Sequence, residues 1–210
     1  NNSIRRIILS SGLVSTLAGS TTPGFNDATG TAATFNQPSS IVLDSTGNLY
    51  VADTNNNKIR RITPSGVVTT VAGKQAAGYA DGGSLTVAQF NNPIGITIDT
   101  NNNLYVADTR NNCIRRISAN LATVSTLAGN PVNGYGNSSD GVGIGASFNL
   151  PYFIVCNRSN NLFVTDTGNN CIREIVISSG LVVKIGGSIA DTHDPFNQGS
   201  EDGDGLTTFA

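Results

Sequence analysis

Residues 50–62 read YVADTNNNKIRRI, residues 105–117 read YVADTRNNCIRRI, and residues 163–175 read FVTDTGNNCIREI. The chain opens on the tail of the same phrase, NNSIRRI, at residues 1–7. Aligned on the Asn-Asn pair, the copies start at Asn1, Asn56, Asn111 and Asn169, with spacings of 55, 55 and 58 residues. The longer last interval is accommodated between Gly129 and Phe148, a stretch rich in Gly, Asn and Ser. A fixed period of this size marks stacked structural units.

One unit can be read outward from this phrase, beginning at Phe35. A short apolar run at residues 41–43 follows Pro38, which suits a strand entrance but not its middle. Ser45-Thr46-Gly47-Asn48 is a turn signal. LYVAD, at residues 49–53, is too short for a helix and rich in β-branched and aromatic side chains. After the turn at residues 54–57, KIRRI forms a third strand. A further turn, Thr63-Pro64-Ser65-Gly66, leads to VVTTVAG as a fourth. Each unit is therefore expected to be four short antiparallel strands and a long polar connector. A lone sheet of this kind cannot bury both faces, and stacking copies into a β-propeller solves that problem.

The string FNQPSSIVLDSTGNLYVADTNNNKIRRI resembles the NHL repeat: a Pro-x-Gly-Ile start, an Asp, Gly-Asn-Leu-Tyr-Val-Ala-Asp-Thr, then Asn-x-x-Ile-Arg. The second copy matches the start more fully, with Pro93, Ile94, Gly95, Ile96 and Asp99. The third departs, with Asn157 in place of Asp44 and Asp99, and Phe153 where the Gly falls. The resemblance implies an all-β NHL-type propeller of about four blades across residues 1–210, with units beginning near Phe35, Phe90 and Phe148. On this reading the chain starts mid-blade at Asn1 and ends before the next blade. NHL propellers usually have six blades, so a part of a larger ring is expected, one that would need roughly 120 further residues at this period.

Repetition also weighs on the residues that look like chemistry. Asp53, Asp108 and Asp166 recur at the end of the second strand, each followed by Thr. They are expected to bond backbone amides of the tight turn that follows, as Asp and Thr commonly do. Arg60, Arg115 and Arg173 recur on the third strand, as does Arg5. Acidic residues repeat in the same unit, so these arginines are expected in surface ion pairs of small value. No catalytic or cofactor-binding residue and no metal ligand set is expected. His193 is the only histidine, which is too few for a histidine-based metal centre. The carboxylates between Asp191 and Asp204 could hold calcium but lack EF-hand spacing. Asn1, Asn137 and Asn157 each begin an Asn-x-Ser triplet and are candidate glycosylation sites, Asn137 first among them.

Three cysteines, Cys113, Cys156 and Cys171, cannot all pair within the chain. Cys113 and Cys171 share a repeat position with Ser3 and Lys58, which points to a surface site and free thiols, with intermolecular bridges as the alternative. The net charge of −2, from 12 basic and 14 acidic residues, gives no basic excess for nucleic acid. No apolar run reaches the ~20 residues of a membrane-spanning helix. The chain contains no Met, so a processed product or fragment is expected.

The function expected is a non-enzymatic scaffold, extracellular or at a cell surface, presenting blade loops to a protein or glycan partner, with self-assembly through an open blade edge as a further expectation. The connectors at residues 20–34, 74–89, 130–147 and 188–208 vary most and are the expected recognition material. The alternatives are a propeller-type lyase or hydrolase and an NHL-type RNA-binding module, the second disfavoured by the balanced charge.

Overall fold

A computed structural model of the chain describes residues 1–83, 87–131 and 138–187. The expectations for Asn137, His193 and the segment from Asp191 to Asp204 lie outside these residues. Strands β1 (Ser3–Ile8) and β2 (Leu13–Gly19) form a hairpin. Strands β3 (Pro38–Leu43), β4 (Leu49–Asp53), β5 (Lys58–Ile62) and β6 (Val68–Ala72) form an antiparallel sheet in chain order. The next unit holds β7 (Gly82–Gly83), β8 (Pro93–Ile98), β9 (Leu104–Asp108), β10 (Cys113–Ile117) and β11 (Thr123–Ala128), in the order β7-β11-β10-β9-β8. The last holds β12 (Gly141–Val142), β13 (Pro151–Cys156), β14 (Asn161–Asp166), β15 (Cys171–Val176) and β16 (Leu181–Gly186), ordered β12-β16-β15-β14-β13.

The four strands per unit are present, and the connectors add something the sequence did not signal. Before running to the first strand, each of the three described connectors lies along the outer strand of the blade it leads into. β7 pairs with β11 and β12 with β16, and Thr29 bridges to Val67 in the earlier blade. An outer strand is an exposed edge, and covering it prevents edge-to-edge association.

Both faces of β4 and β9 are buried, which explains why LYVAD is almost continuously apolar rather than alternating, whereas in β14 buried residues alternate with half-buried ones. In β4, Tyr50 and Ala52 pack towards Phe90, Ile96 and Val106 of the following blade, while Val51 packs with Phe35 of its own unit and Ala18 of the preceding one. In β9, Tyr105 and Ala107 continue the pattern towards Phe148 and Val164. At the other end of each sheet, β3 packs against β8 and β8 against β13, so the first strands gather on one common side. The molecule is an arc of a β-propeller.

The glycine at the end of each fourth strand, preceded by Ala in three copies and by Gly186 in the last, has a steric cause. Gly19, Gly73, Gly129 and Gly187 all have φ between +87° and +95°. A Cβ there would collide with the backbone carbonyl of Asn2, Asn57, Asn112 or Asn170 respectively.

Candidate functional site

The recurring Asp and Arg form one buried assembly per blade. Arg60, Arg115 and Arg173 are 0% exposed. Each guanidinium bonds the Asp that ends the second strand of its own blade: Arg60 Nη1 to Asp53 Oδ2 at 2.7 Å, Arg115 to Asp108 at 2.8 Å, and Arg173 to Asp166 at 3.0 Å. Its other nitrogen, Nη2, reaches the connector: Asp27 at 2.6 Å, Asp81 at 2.6 Å and Asp140 at 2.8 Å. Connector carbonyls accept further bonds, from Arg60 to Thr34 O and Asn26 O and from Arg115 to Gln89 O and Ala80 O. The guanidinium lies over Phe35, Phe90 or Phe148, 5.1 to 5.2 Å from the ring centroid. The phenylalanine that opens each unit is therefore the ring on which its arginine rests.

Two expectations are corrected here. The arginines are not in surface pairs. They are desolvated and hold the connector to the blade, where removing one partner is expensive because the other charge stays buried. The aspartates do not bond the backbone amides of the following turn. Oδ1 of Asp53, Asp108 and Asp166 accepts the backbone N–H of Asn36, Asn91 and Asn149, located before the first strand. Burial pushes all three carboxyls up from the ordinary carboxylate range, Asp108 to about 6.

The turn itself can be read residue by residue. Thr54 and Thr109 donate across to Pro93 O and Pro151 O of the next blade. Asn56, Asn111 and Asn169 donate to the blade's own aspartate. Asn57, Asn112 and Asn170 take the left-handed conformation, with φ of 54°, 52° and 50°, which Asn tolerates better than most residues. Oδ1 of Asn57 and Asn112 then accepts the N–H of Asn92 and Leu150 in the next blade. In Asp-Thr-x-Asn-Asn, x serves the turn through its backbone, the N–H of Asn55, Arg110 and Gly168 donating to Asn36 O, Asn91 O and Asn149 O, and only its side chain has no bond common to the copies.

Residues 35–62 and 90–117 match the NHL repeat model. The chain carries NHL repeats. It is 30% identical over 155 residues to NHL repeat-containing protein 2 of Bos taurus, a match covering 70% of this chain and 21% of that protein. The chain spans between 10% and 21% of the length of the curated relatives it first matches. Among solved structures it resembles an auxiliary nutrient binding protein from Bacteroides thetaiotaomicron (TM-score 0.67, 20% identity, covering 87% of this chain and 43% of that one). It also resembles the virginiamycin B lyase of Staphylococcus aureus (TM-score 0.56, 21% identity, covering 91% and 50%). At these identities the likeness is one of fold.

In the NHL units described here, the repeat serves as its own comparison. Positions alike in all copies serve the fold, as shown above, so exposed departures stand out. The free turn position holds Asn55, then Arg110, then Gly168. The two residues after the strand-opening proline are Ser39-Ser40, then Ile94-Gly95, then Tyr152-Phe153. Each first strand has a register shift there, at Pro38/Ser40, Pro93/Ile96 and Pro151/Ile154. Bulges of this kind re-aim side chains and are common beside binding sites. The last one is adapted to its contents: Thr165, where the other blades have Ala, accepts the Phe153 N–H at 2.9 Å.

Arg110, Tyr152 and Phe153 converge on one groove of about 420 Å³, shared with Gln37, Ser39, Asn55 and Asn92. It lies where the openings of β3, β8 and β13 meet the turns after β4 and β9. Arg110 is exposed and is the one charged residue in the lining. Its guanidinium makes no ion pair among the described residues. Tyr152 and Phe153 are 39% and 56% exposed, with ring centroids 5.6 Å apart at 62°. Gln37 and Asn92 enter the groove with φ of 53° and 57°, fixed by bonds to Asn2 and Asn57.

A second groove, at the far end of β8, differs in that its polar groups satisfy one another. Asp99 accepts from Asn103 and from the Tyr105 hydroxyl, and Arg116 donates to the Asn103 side-chain carbonyl.

The described connectors, expected as the recognition material, are pinned at the outer edge by Asp27, Asp81 and Asp140. Sequence reading missed both that role and the groove. The connector aspartates are visible in the sequence as a repeat, Phe25 to Asp27 and Tyr79 to Asp81. Cys113 and Cys171 are buried, not on the surface as expected, and burial pushes both thiols up. Ser3 and Lys58, at the same repeat position, are half-buried. Asn157 is exposed, and its Oδ1 holds the Asn157–Asn161 turn by accepting from Ser159 and Asn161; Asn1 is exposed at the terminus. Among the described residues, no group of three or more His, Cys, Asp or Glu could hold a metal, and no helix is long and apolar enough to cross a membrane.

Proposed function

We propose that this NHL segment is a non-catalytic binding scaffold whose partner docks in the Arg110–Tyr152–Phe153 groove. One observation carries the reading: three exposed departures from the repeat, Arg110, Tyr152 and Phe153, line the same concavity although they come from two blades. The recurring acidic and basic side chains are consumed by the fold, leaving this groove with unpaired donors on a rigid frame. A low-charge surface rich in Asn and Thr supports a setting outside the cell or at its surface. The lyase among its neighbours shares the fold, and a fold hosts unrelated activities.

The test uses arrays of glycans and of peptides, probed with the native chain and with an Arg110→Ala/Tyr152→Ala/Phe153→Ala variant of unchanged melting temperature. A ligand held by the native chain and lost by the variant is expected, and mass spectrometry should recover that ligand chemically unchanged. Binding that persists in the variant would remove the docking site. A changed ligand mass would remove the non-catalytic reading.

A further inference from the structure

The lining of the groove narrows the class of ligand, given that the groove is the docking site. We infer that it takes an acidic saccharide, with a sugar carboxylate paired to Arg110 and the C–H face of a sugar ring packed on Tyr152 and Phe153.

Four observations lead there. The first is charge. Arg110 is the one ionic group in the lining, so the groove is cationic on a chain whose net charge is −2. A planar guanidinium holds a carboxylate through two parallel bonds. The second is the remaining polar set. The Gln37 side-chain amide and the Tyr152 hydroxyl make no hydrogen bond among the described residues, and the side-chain amides of Asn55 and Asn92 bond only each other, at 3.4 Å. Amides and hydroxyls that both donate and accept suit a ligand dense in hydroxyl groups.

The third is what the groove lacks for a peptide. An added β-strand needs a regular free edge, and here the register shifts and prolines at Pro38, Pro93 and Pro151 interrupt it. A docked amphipathic helix needs a predominantly apolar groove, whereas amide, hydroxyl and guanidinium groups line much of this one. The fourth is size. A volume of about 420 Å³ lies in the range of small-ligand sites.

The probes are tetramers of galacturonic acid, of mannuronic acid and of hyaluronan, each beside its methyl ester, titrated calorimetrically into the native chain. At least one acid form is expected to bind, with its ester weaker by about tenfold or more. Arg110→Ala should weaken the acid form by about as much, Arg110→Lys less, and Tyr152→Ala should weaken acid and ester alike. Raising salt should weaken only the acid form. Equal binding of acid and ester, an Arg110→Ala variant that binds undiminished, or failure of all three acids would overturn the assignment. If a neutral sugar or a peptide then binds in a groove-dependent way, the docking site stands and only the ligand class falls. If no ligand depends on these residues, both fall.

Discussion

Asp81 sits 34 positions before Arg115, yet the two meet at 2.6 Å, with Arg115 fully buried and the Asp81 side chain 43% exposed. The bond ties a connector to the strand it crosses, and Asp27 with Arg60 and Asp140 with Arg173 repeat it. Asp81 also accepts the Thr126 N–H on β11, so one carboxylate joins connector, third strand and fourth strand. The pairing makes the connector part of the blade.

Replacing Asp81 with Ala should therefore destabilise the chain less than replacing the buried Asp108. Asp108→Ala leaves Arg115 without its fully desolvated partner, a change of about 3–5 kcal/mol in comparable buried pairs. Water can reach the Asp81 end and partly replace what is lost. Urea melts of the two variants give the order directly, and equal losses would contradict it.

Arg115→Met should be costly in a pH-dependent way. Burial raises the folded pKa of Asp108 to about 6 even with the guanidinium present, and losing the guanidinium removes the positive charge that holds it down. A carboxyl raised in the folded state contributes stability below its unfolded pKa, and that contribution is lost as pH rises through the folded value. The variant should therefore lose stability relative to the native chain as pH rises from 5 to 8, measurable as a widening gap in melting temperature.

Gly73→Ala should prevent folding or nearly so. Its φ of +95° disfavours any Cβ, and that Cβ would meet the Asn57 carbonyl and Lys58 Cα at 3.1 Å. Gly12→Ala, at φ +68° with nothing within 4 Å, carries only the backbone strain and serves as the control. Circular dichroism should show native sheet for the second and not for the first.

The blade was legible in the sequence because repetition supplied an internal comparison: strand order, turns and the opening phenylalanines all recur at fixed spacing. What was not legible is where charges end up. Arginine is rarely fully buried, so Arg60, Arg115 and Arg173 read as surface residues, although each follows its connector aspartate by 33 or 34 positions. The cysteines misled for a related reason. Tolerance of Ser3 and Lys58 at their position suggested exposure, but Lys58 extends its ammonium outward to the Phe25 ring at 4.7 Å while its stem stays half-buried. The groove was hidden because its residues come from three blades and are recognisable only by failing to repeat.

Asp44 offers a last test, because the repeat has already performed the substitution. Its Oδ1 accepts the N–H groups of Thr46 and Asn48 and the Thr46 hydroxyl, and its Oδ2 accepts the Asn48 amide. Slight burial pushes its pKa up, but these bonds outweigh it and bring the value down to about 2. In the third copy Asn157 makes the same two backbone bonds with a neutral amide oxygen. Asp44→Asn should therefore fold with the same turn and lose only the charge-assisted part of the bonding. A carboxyl depressed in the folded state contributes stability above its unfolded value near 3.8, and loses it as pH falls through about 2. The native chain should melt higher than the variant at pH 6, with the difference shrinking between pH 4 and pH 2. A gap that holds constant to pH 2 would mean that the turn depends on shape alone.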